Sequence, residues 1–185
     1  MGVGLRNIEA AEVRSAVARL CVEANYSLDQ DVVAGLERAL EQEQSPVGRG
    51  ILEELAENNR IASCRGQAVC QDTGLAVVFV EMGQDVHIAG GSLAEAIDAG
   101  VREGYTRGYL RMSSVSDPIF DRKNTGDNTP AVVHIEVVPG EQLKLTVAPK
   151  GGGAENMSTL RMLKPSDGVA GVKSFVVATA RAGGA

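Results

Sequence analysis

A chain of 185 residues suits one domain, or a compact domain with a helical prefix. Its 44% hydrophobic share is that of a globular protein, but only 3% of residues are aromatic and Trp is absent, so Val, Ala, Leu and Ile must fill the core. The net charge of −6 argues against nucleic acid, whose phosphates draw on surplus Lys and Arg.

The acidity sits at the front. Residues 1–60 hold 11 acids, 6 Arg and no Lys, while the remainder is near balance and can focus its bases on a small anion. Cys21, Cys64 and Cys70 are an odd set of thiols. Met1–Leu20 carries Arg6, Arg14 and Arg19 and lacks the apolar stretch of a secretion signal, and no run approaches a membrane span. The expectation is a cytoplasmic protein with reduced thiols and no membrane partner.

Three helices open the chain. Val13, Ala16, Val17, Leu20, Cys21 and Ala24 recur at helical spacing. Ser27 and Gln30 fit a capping box ahead of the stripe Val32, Val33, Leu36 and Leu40. Ser45 then Pro46 reads as an N-cap with Pro at the first helical position, leading into Ile51, Leu52 and Leu55. After Asn59 the character changes. Ala76–Met82 reads as a buried strand, with Val86–Ile88 pairing to it across a turn at Gly83–Asp85. Ser92 and Glu95 open a helix running to about Tyr109. Ala131–Val138 and Gln142–Ala148 form an expected hairpin around Pro139–Gly140, with Leu143, Leu145 and Val147 on one face. Glu155–Leu163 reads as a short helix, and Pro165 with Asp167 starts a final one through Val172, Phe175, Val176 and Thr179. The expected fold is α+β: an N-terminal helical cap over residues 1–60, then a mixed β-sheet with an antiparallel hairpin, flanked by helices, in residues 61–185.

Three segments could carry chemistry. Cys70–Gln71–Asp72–Thr73–Gly74 sets a thiol, an amide and a carboxylate in a turn directly before a buried strand. Cys70 reads either as a ligand for soft metal or an iron–sulfur cluster, or as a small buried hydrophobe, with Asp72 a turn residue. Cys64 lies too far from it for a metal signature, and Cys21 falls on an apolar helix stripe. Lys150–Gly151–Gly152–Gly153 follows a strand and precedes a predicted helix, so its backbone N–H groups either cradle an anion or merely exit a hairpin. Met112–Pro130 lacks periodicity; Arg111 at its head can grip a carboxylate through two parallel hydrogen bonds, while the Asn, Asp and Thr of its tail read as turn builders. His87 and His134, each alternating with apolar residues, read as structural.

Taken in order, Cys-Gln-Asp-Thr-Gly at 70–74, Gly-Gln-Asp-Val-His at 83–87, Asn-Thr-Gly-Asp-Asn-Thr-Pro at 124–130, Ala-Pro-Lys-Gly-Gly-Gly at 148–153, Glu-Asn-Met-Ser at 155–158 and Leu-Lys-Pro-Ser-Asp-Gly at 163–168 resemble the class I fumarase/tartrate dehydratase alpha subunit. The resemblance implies a hydro-lyase of the tricarboxylic acid cycle type, adding water to fumarate to give malate, with a [4Fe-4S] cluster held by three Cys residues and one iron left open as a Lewis acid. It implies Cys70 as the first cluster ligand and Gln71 and Asp72 as substrate groups, Asp72 handling a proton or the hydroxyl. It further implies Arg111 as the carboxylate grip and the Gly152–Gly153 backbone as the opposite wall.

In such subunits the other two cluster Cys residues and a catalytic His lie beyond the helix with which this chain ends. Further bases come from a beta subunit or C-terminal domain. The ending at Ala182–Gly183–Gly184–Ala185 thus reads as either a terminus or the start of a continuing loop. The isolated chain is expected to be inactive and cluster-free, and to form a homo- or hetero-oligomer. Tartrate or a methylated fumarate is the alternative substrate, and a non-catalytic binding or assembly module the alternative class.

Overall fold

The computed structural model describes residues 4–183. They fall into two compact units, Met1–Lys150 and Gly151–Ala185. The predicted ending at Gly184–Ala185 lies outside the described residues.

The first unit opens with a strand that the periodicity did not reveal, β1 (Arg6–Glu9), followed by α1 (Ala10–Tyr26), α2 (Gln30–Gln42) and α3 (Pro46–Arg65). Ser45 caps α3 as expected, its hydroxyl oxygen accepting from the Gly48 N–H at 3.4 Å. The Ser27 capping box does not form. Asp29 occupies the N-cap of α2, and the Ser27 hydroxyl donates back to the Glu23 carbonyl at the end of α1. Then come β2 (Leu75–Gly83), β3 (Val86–Ala89), α4 (Leu93–Arg107), β4 (Val132–Val138) and β5 (Leu143–Lys150).

The α+β class and the mixed sheet are present, but two pairings differ from the sequence reading. β4 and β5 do not form a hairpin with each other; β2 lies between them, parallel to β4 and antiparallel to β5. The 139–142 connection crosses the end of β2, where the Gly83, Gln84 and Asp85 N–H groups donate to the carbonyls of Gln142, Val138 and Gly140. With both edges of β2 taken, β3 cannot pair with it. Instead β3 runs parallel to β1, Ile8 opposite Ile88.

The reason is burial. Ala76, Val78 and Val80 of β2 are at most 1% exposed and share one core with Val13, Val17 and Cys21 of α1 and Ile97, Val101 and Tyr105 of α4. A nearly continuous apolar strand is stable only with both edges paired and one face covered. α1 and α4 meet at unusually short range. A Cβ at Gly100 would lie 2.7 Å from the Arg14 carbonyl, and one at Gly104 2.6 Å from that of Ala18. The alternate face of β2 stays open, with Phe79 stacked on His134 of β4 at 5.1 Å between ring centroids. Glu81 and Lys144 pair across strands on that face at 2.6 Å.

The second unit holds a short 3-10 turn, Ala154–Met157, where a helix to Leu163 was expected, then a second 3-10 turn, Pro165–Asp167, leading directly into α5 (Gly168–Ala182). Asp167 Oδ2 accepts from the Lys164 N–H at 2.8 Å and so closes the entry to that final helix.

Candidate active site

The segment joining α3 to β2 is fastened along most of its length. The Val69 N–H donates to the Asn25 carbonyl at 2.9 Å, and Asn58 Nδ2 donates to the Val69 carbonyl at 2.8 Å. Further on, the buried Thr73 donates its hydroxyl to the Arg111 carbonyl at 3.1 Å. Beneath the turn, the phenol of Tyr105, at 0% exposure, donates to the Thr73 carbonyl at 2.8 Å, with the Gly74 carbonyl at 3.3 Å. Burial raises the pKa of that phenol above its ordinary value, so it stays a neutral donor.

What this fastening presents is the crown. Cys70 and Gln71 are exposed, and Asp72 is half-buried. The Asp72 N–H donates to Cys70 Sγ at 3.4 Å. Of the two sequence readings of Cys70, burial as a small hydrophobe is ruled out. Cys21 is the buried thiol, pushed up to about 12 by desolvation, and Cys64 is exposed on α3. Among the described residues no three His, Cys, Asp or Glu gather into a set able to hold a metal ion. Cys70 therefore fits as one thiolate donor, and a multi-ligand site needs donors from elsewhere.

The long segment after α4 is not a slack loop. Val115 and Asn124 form an antiparallel bridge, and the Ser116 N–H donates to the Lys123 carbonyl at 2.8 Å. Asp117 Oδ1 accepts from the N–H groups of Ile119 and Phe120, which holds its carboxyl below the ordinary range. At the tail, Asp127 pairs with Arg102 of α4 at 2.8 Å and accepts from the Thr129 N–H and hydroxyl. Asp98 accepts from the Ala131 N–H at 2.8 Å. α4 thus carries the loop's tail and the Tyr105 support of the Cys70 turn together.

Asn128, in that tail, was expected to serve its own turn. It is wholly buried and does more. Its Nδ2 donates to the Gly74 carbonyl at 3.1 Å, while its Oδ1 accepts from the Ser113 and Ser114 N–H groups at 2.6 and 3.1 Å. The Cys70 turn and the Arg111 segment are thereby joined, with the Arg111 side chain exposed beside the junction. One polar atom there is left over: the buried Ser113 hydroxyl has no hydrogen-bond partner.

Gly152 and Gly153 belong to the second unit, where a Cβ on either would meet nothing within 4 Å. The helix expected to lend them positive potential is a single 3-10 turn, too short to supply a macrodipole. In the first unit, β5 delivers the chain to this glycine run at Lys150, opposite Leu75, the first residue of β2. His134 lies on the open sheet face and His87 on β3.

Tyr105, Thr73 and Asn128 escaped the sequence reading as site residues. Tyr105 could have been found: it continues the buried stripe Ile97, Val101 in a chain with 3 Tyr, and a buried phenol needs a partner.

The family described as fumarate hydratase (Fumerase) matches residues 14–185. A putative L(+)-tartrate dehydratase subunit alpha of Methanocaldococcus jannaschii is 35% identical over 178 residues, covering 94% of this chain and 62% of that protein. The L(+)-tartrate dehydratase subunit alpha of Escherichia coli strain UTI89 is 31% identical over 164 residues, and that of Shigella sonnei 30%, each covering 86% of this chain and 53% of the relative. The chain thus spans between half and two thirds of the length of these relatives. No helix among the described residues is long and apolar enough to cross a membrane.

Proposed function

Since the chain belongs to the fumarate hydratase (Fumerase) family, we propose that it supplies the Cys70 and Arg111 half of a hydro-lyase site for a small dicarboxylate, in an alpha subunit completed by a beta partner. The observation that carries this reading is the exposed Cys70–Gln71 crown held against the Arg111 segment by the Thr73 hydroxyl and the Asn128 amide.

In this reading the Arg111 guanidinium takes one substrate carboxylate in a planar, bidentate grip that Lys cannot reproduce. Gln71 donates a side-chain N–H to a substrate oxygen. Asp72, half-buried beside Cys70, moves the proton: hydration of fumarate places hydroxyl on one alkene carbon and hydrogen on the other, and a carboxylate beside the hydroxyl accepts the proton released from water. A [4Fe-4S] cluster, when bound, would supply Lewis acidity toward that hydroxyl, with the Cys70 thiolate as one of its ligands. The remaining thiolates come from the rest of the subunit.

The names of the relatives favour a second substrate in the same site. L-tartrate losing water through the same elements would give the enol of oxaloacetate, and tartrate differs from malate by one hydroxyl that the pocket must either hydrogen-bond or leave unpaired. The test is anaerobic reconstitution of the complete alpha–beta assembly and of this chain alone, with iron content, hydration of fumarate and dehydration of malate and tartrate followed together. Turnover by the assembly and none by the chain is expected, and Cys70→Ser and Arg111→Lys should each abolish at least 99% of it, about 2.7 kcal/mol or more of barrier. Stoichiometric cluster and turnover in the chain alone, or an assembly indifferent to both substitutions, would overturn the reading.

A further inference from the structure

We infer that Asn128 is a positioning residue that holds the Cys70 turn and the Arg111 segment at one fixed spacing. The inference rests on the hydro-lyase reading only for its catalytic consequence. The geometry is specific to an amide. Oδ1 faces two N–H groups, those of Ser113 and Ser114, and Nδ2 faces one carbonyl, that of Gly74. A carboxylate would satisfy the first pair and repel the carbonyl; an apolar group would strand all three. The backbone agrees, since residue 128 has φ 59°, a left-handed conformation that Asn accepts more readily than most side chains.

The bridge is not redundant with the other tie. Thr73 joins the two segments at the Arg111 carbonyl through one hydroxyl. Asn128 joins them at a second point, Gly74 to Ser113 and Ser114, and meets the Tyr105 phenol at the Gly74 carbonyl, so the turn is held by α4 and by the long loop. With a single tie, the two segments could pivot about it. With both, the backbone at 73–74 and the backbone at 111–114 keep one spacing, which sets the bases from which the side chains of Cys70 and Arg111 reach a bound diacid.

The substitution Asn128→Asp separates the two halves of the bridge, and hydrogen exchange reads them separately. In this chain, peptides covering 69–75 should exchange at least about tenfold faster, while the Ser113 and Ser114 amides stay near the wild-type rate. Tyr105→Phe serves as control, loosening 69–75 from below without affecting 113–114. In the complete assembly, Asn128→Asp should lower kcat about 10- to 100-fold while KM for the diacid changes less than about threefold, because Arg111 still binds but no longer aims. Unchanged exchange at 69–75, equal loosening of both segments, or an activity loss explained wholly by a smaller folded fraction would each overturn the inference. Should the variant fold poorly, the unmodified chain decides: the Asn128 side-chain amide protons should exchange at least about 100-fold slower than those of an exposed Asn, and rapid exchange would refute the bridge. Failure of the wild-type assembly to hydrate any diacid would remove the hydro-lyase reading and leave the exchange result standing.

Discussion

Replacing Gly104 by Ala adds one methyl group at the tightest point between α1 and α4. The new Cβ would lie 2.6 Å from the Ala18 carbonyl oxygen, 2.9 Å from Cys21 Cβ and 3.1 Å from Ala18 Cα. Two of these are backbone atoms and the third is fixed to a helix, so no flexible side-chain end can give way. The helices must part by roughly 0.8 Å to reach ordinary contact at 3.4 Å. A gap of that size forfeits a quarter to a half of the dispersion well for the contacts around it, and overpacking of this kind costs about 1–3 kcal/mol. Ala is the better helix former by about 1 kcal/mol, which offsets part of the loss. Since the obstacle is rigid, the upper end of the range applies, and a net loss of about 2 kcal/mol is expected, or a melting temperature lower by about 4–8 °C. Urea unfolding should show a lower midpoint with the same slope. A variant as stable as wild type, or stabler, would mean that helix propensity outweighs packing here and would refute the close-contact argument.

Three further outcomes are expected. Burial disfavours ionisation of Asp127, but the bonds from Thr129 and Arg102 outweigh it and hold the carboxyl at about 2, against an ordinary value of 3.8. Its contribution, on the order of 1 kcal/mol with Arg102 half-exposed, is therefore present above pH 3.8 and lost as pH falls toward 2; Asp127→Asn should flatten acid unfolding in that window. Iodoacetamide at neutral pH should label Cys64 and Cys70 in the native chain and reach Cys21 only after unfolding, and rapid native labelling at Cys21 would contradict its burial. Ser113→Ala removes a buried hydroxyl with no partner and should leave stability unchanged or raise it by about 1 kcal/mol by thermal melting; a loss above that size would mean the hydroxyl is bonded after all.

The helices were legible because their signals are local: Ser45–Pro46 starts α3, and the stripes Val13–Val17–Cys21 and Ile97–Val101–Tyr105 mark the buried faces. The sheet order was not. Pro139–Gly140 between two alternating strands is a valid hairpin signal, and β4 and β5 do run antiparallel to one another; nothing within either strand says that a third will come between them. The unbroken Ala76–Val80 run marks an apolar strand, yet its burial alternates in the fold, with Ala76, Val78 and Val80 buried and Phe79 on the open face. At the site, Cys70 and Arg111 could be singled out because their chemistry is distinctive. Asn128 could not, because an Asn that bonds its own turn and one that bonds a carbonyl 54 residues away look alike in sequence.

The central place of β2 has a consequence during synthesis. The strand closes at Gly83, and its earlier partner begins only at Val132. Roughly 50 residues must leave the ribosome before it finds either neighbour, a delay of about 3–10 seconds at ordinary elongation rates. Throughout that interval a sticky ribbon stands with bare flanks, the kind of segment that captures other nascent chains. Gene order supplies the remedy: α1 has already emerged and α4 follows within ten residues of Gly83, so helical cover is on hand before any ladder can form.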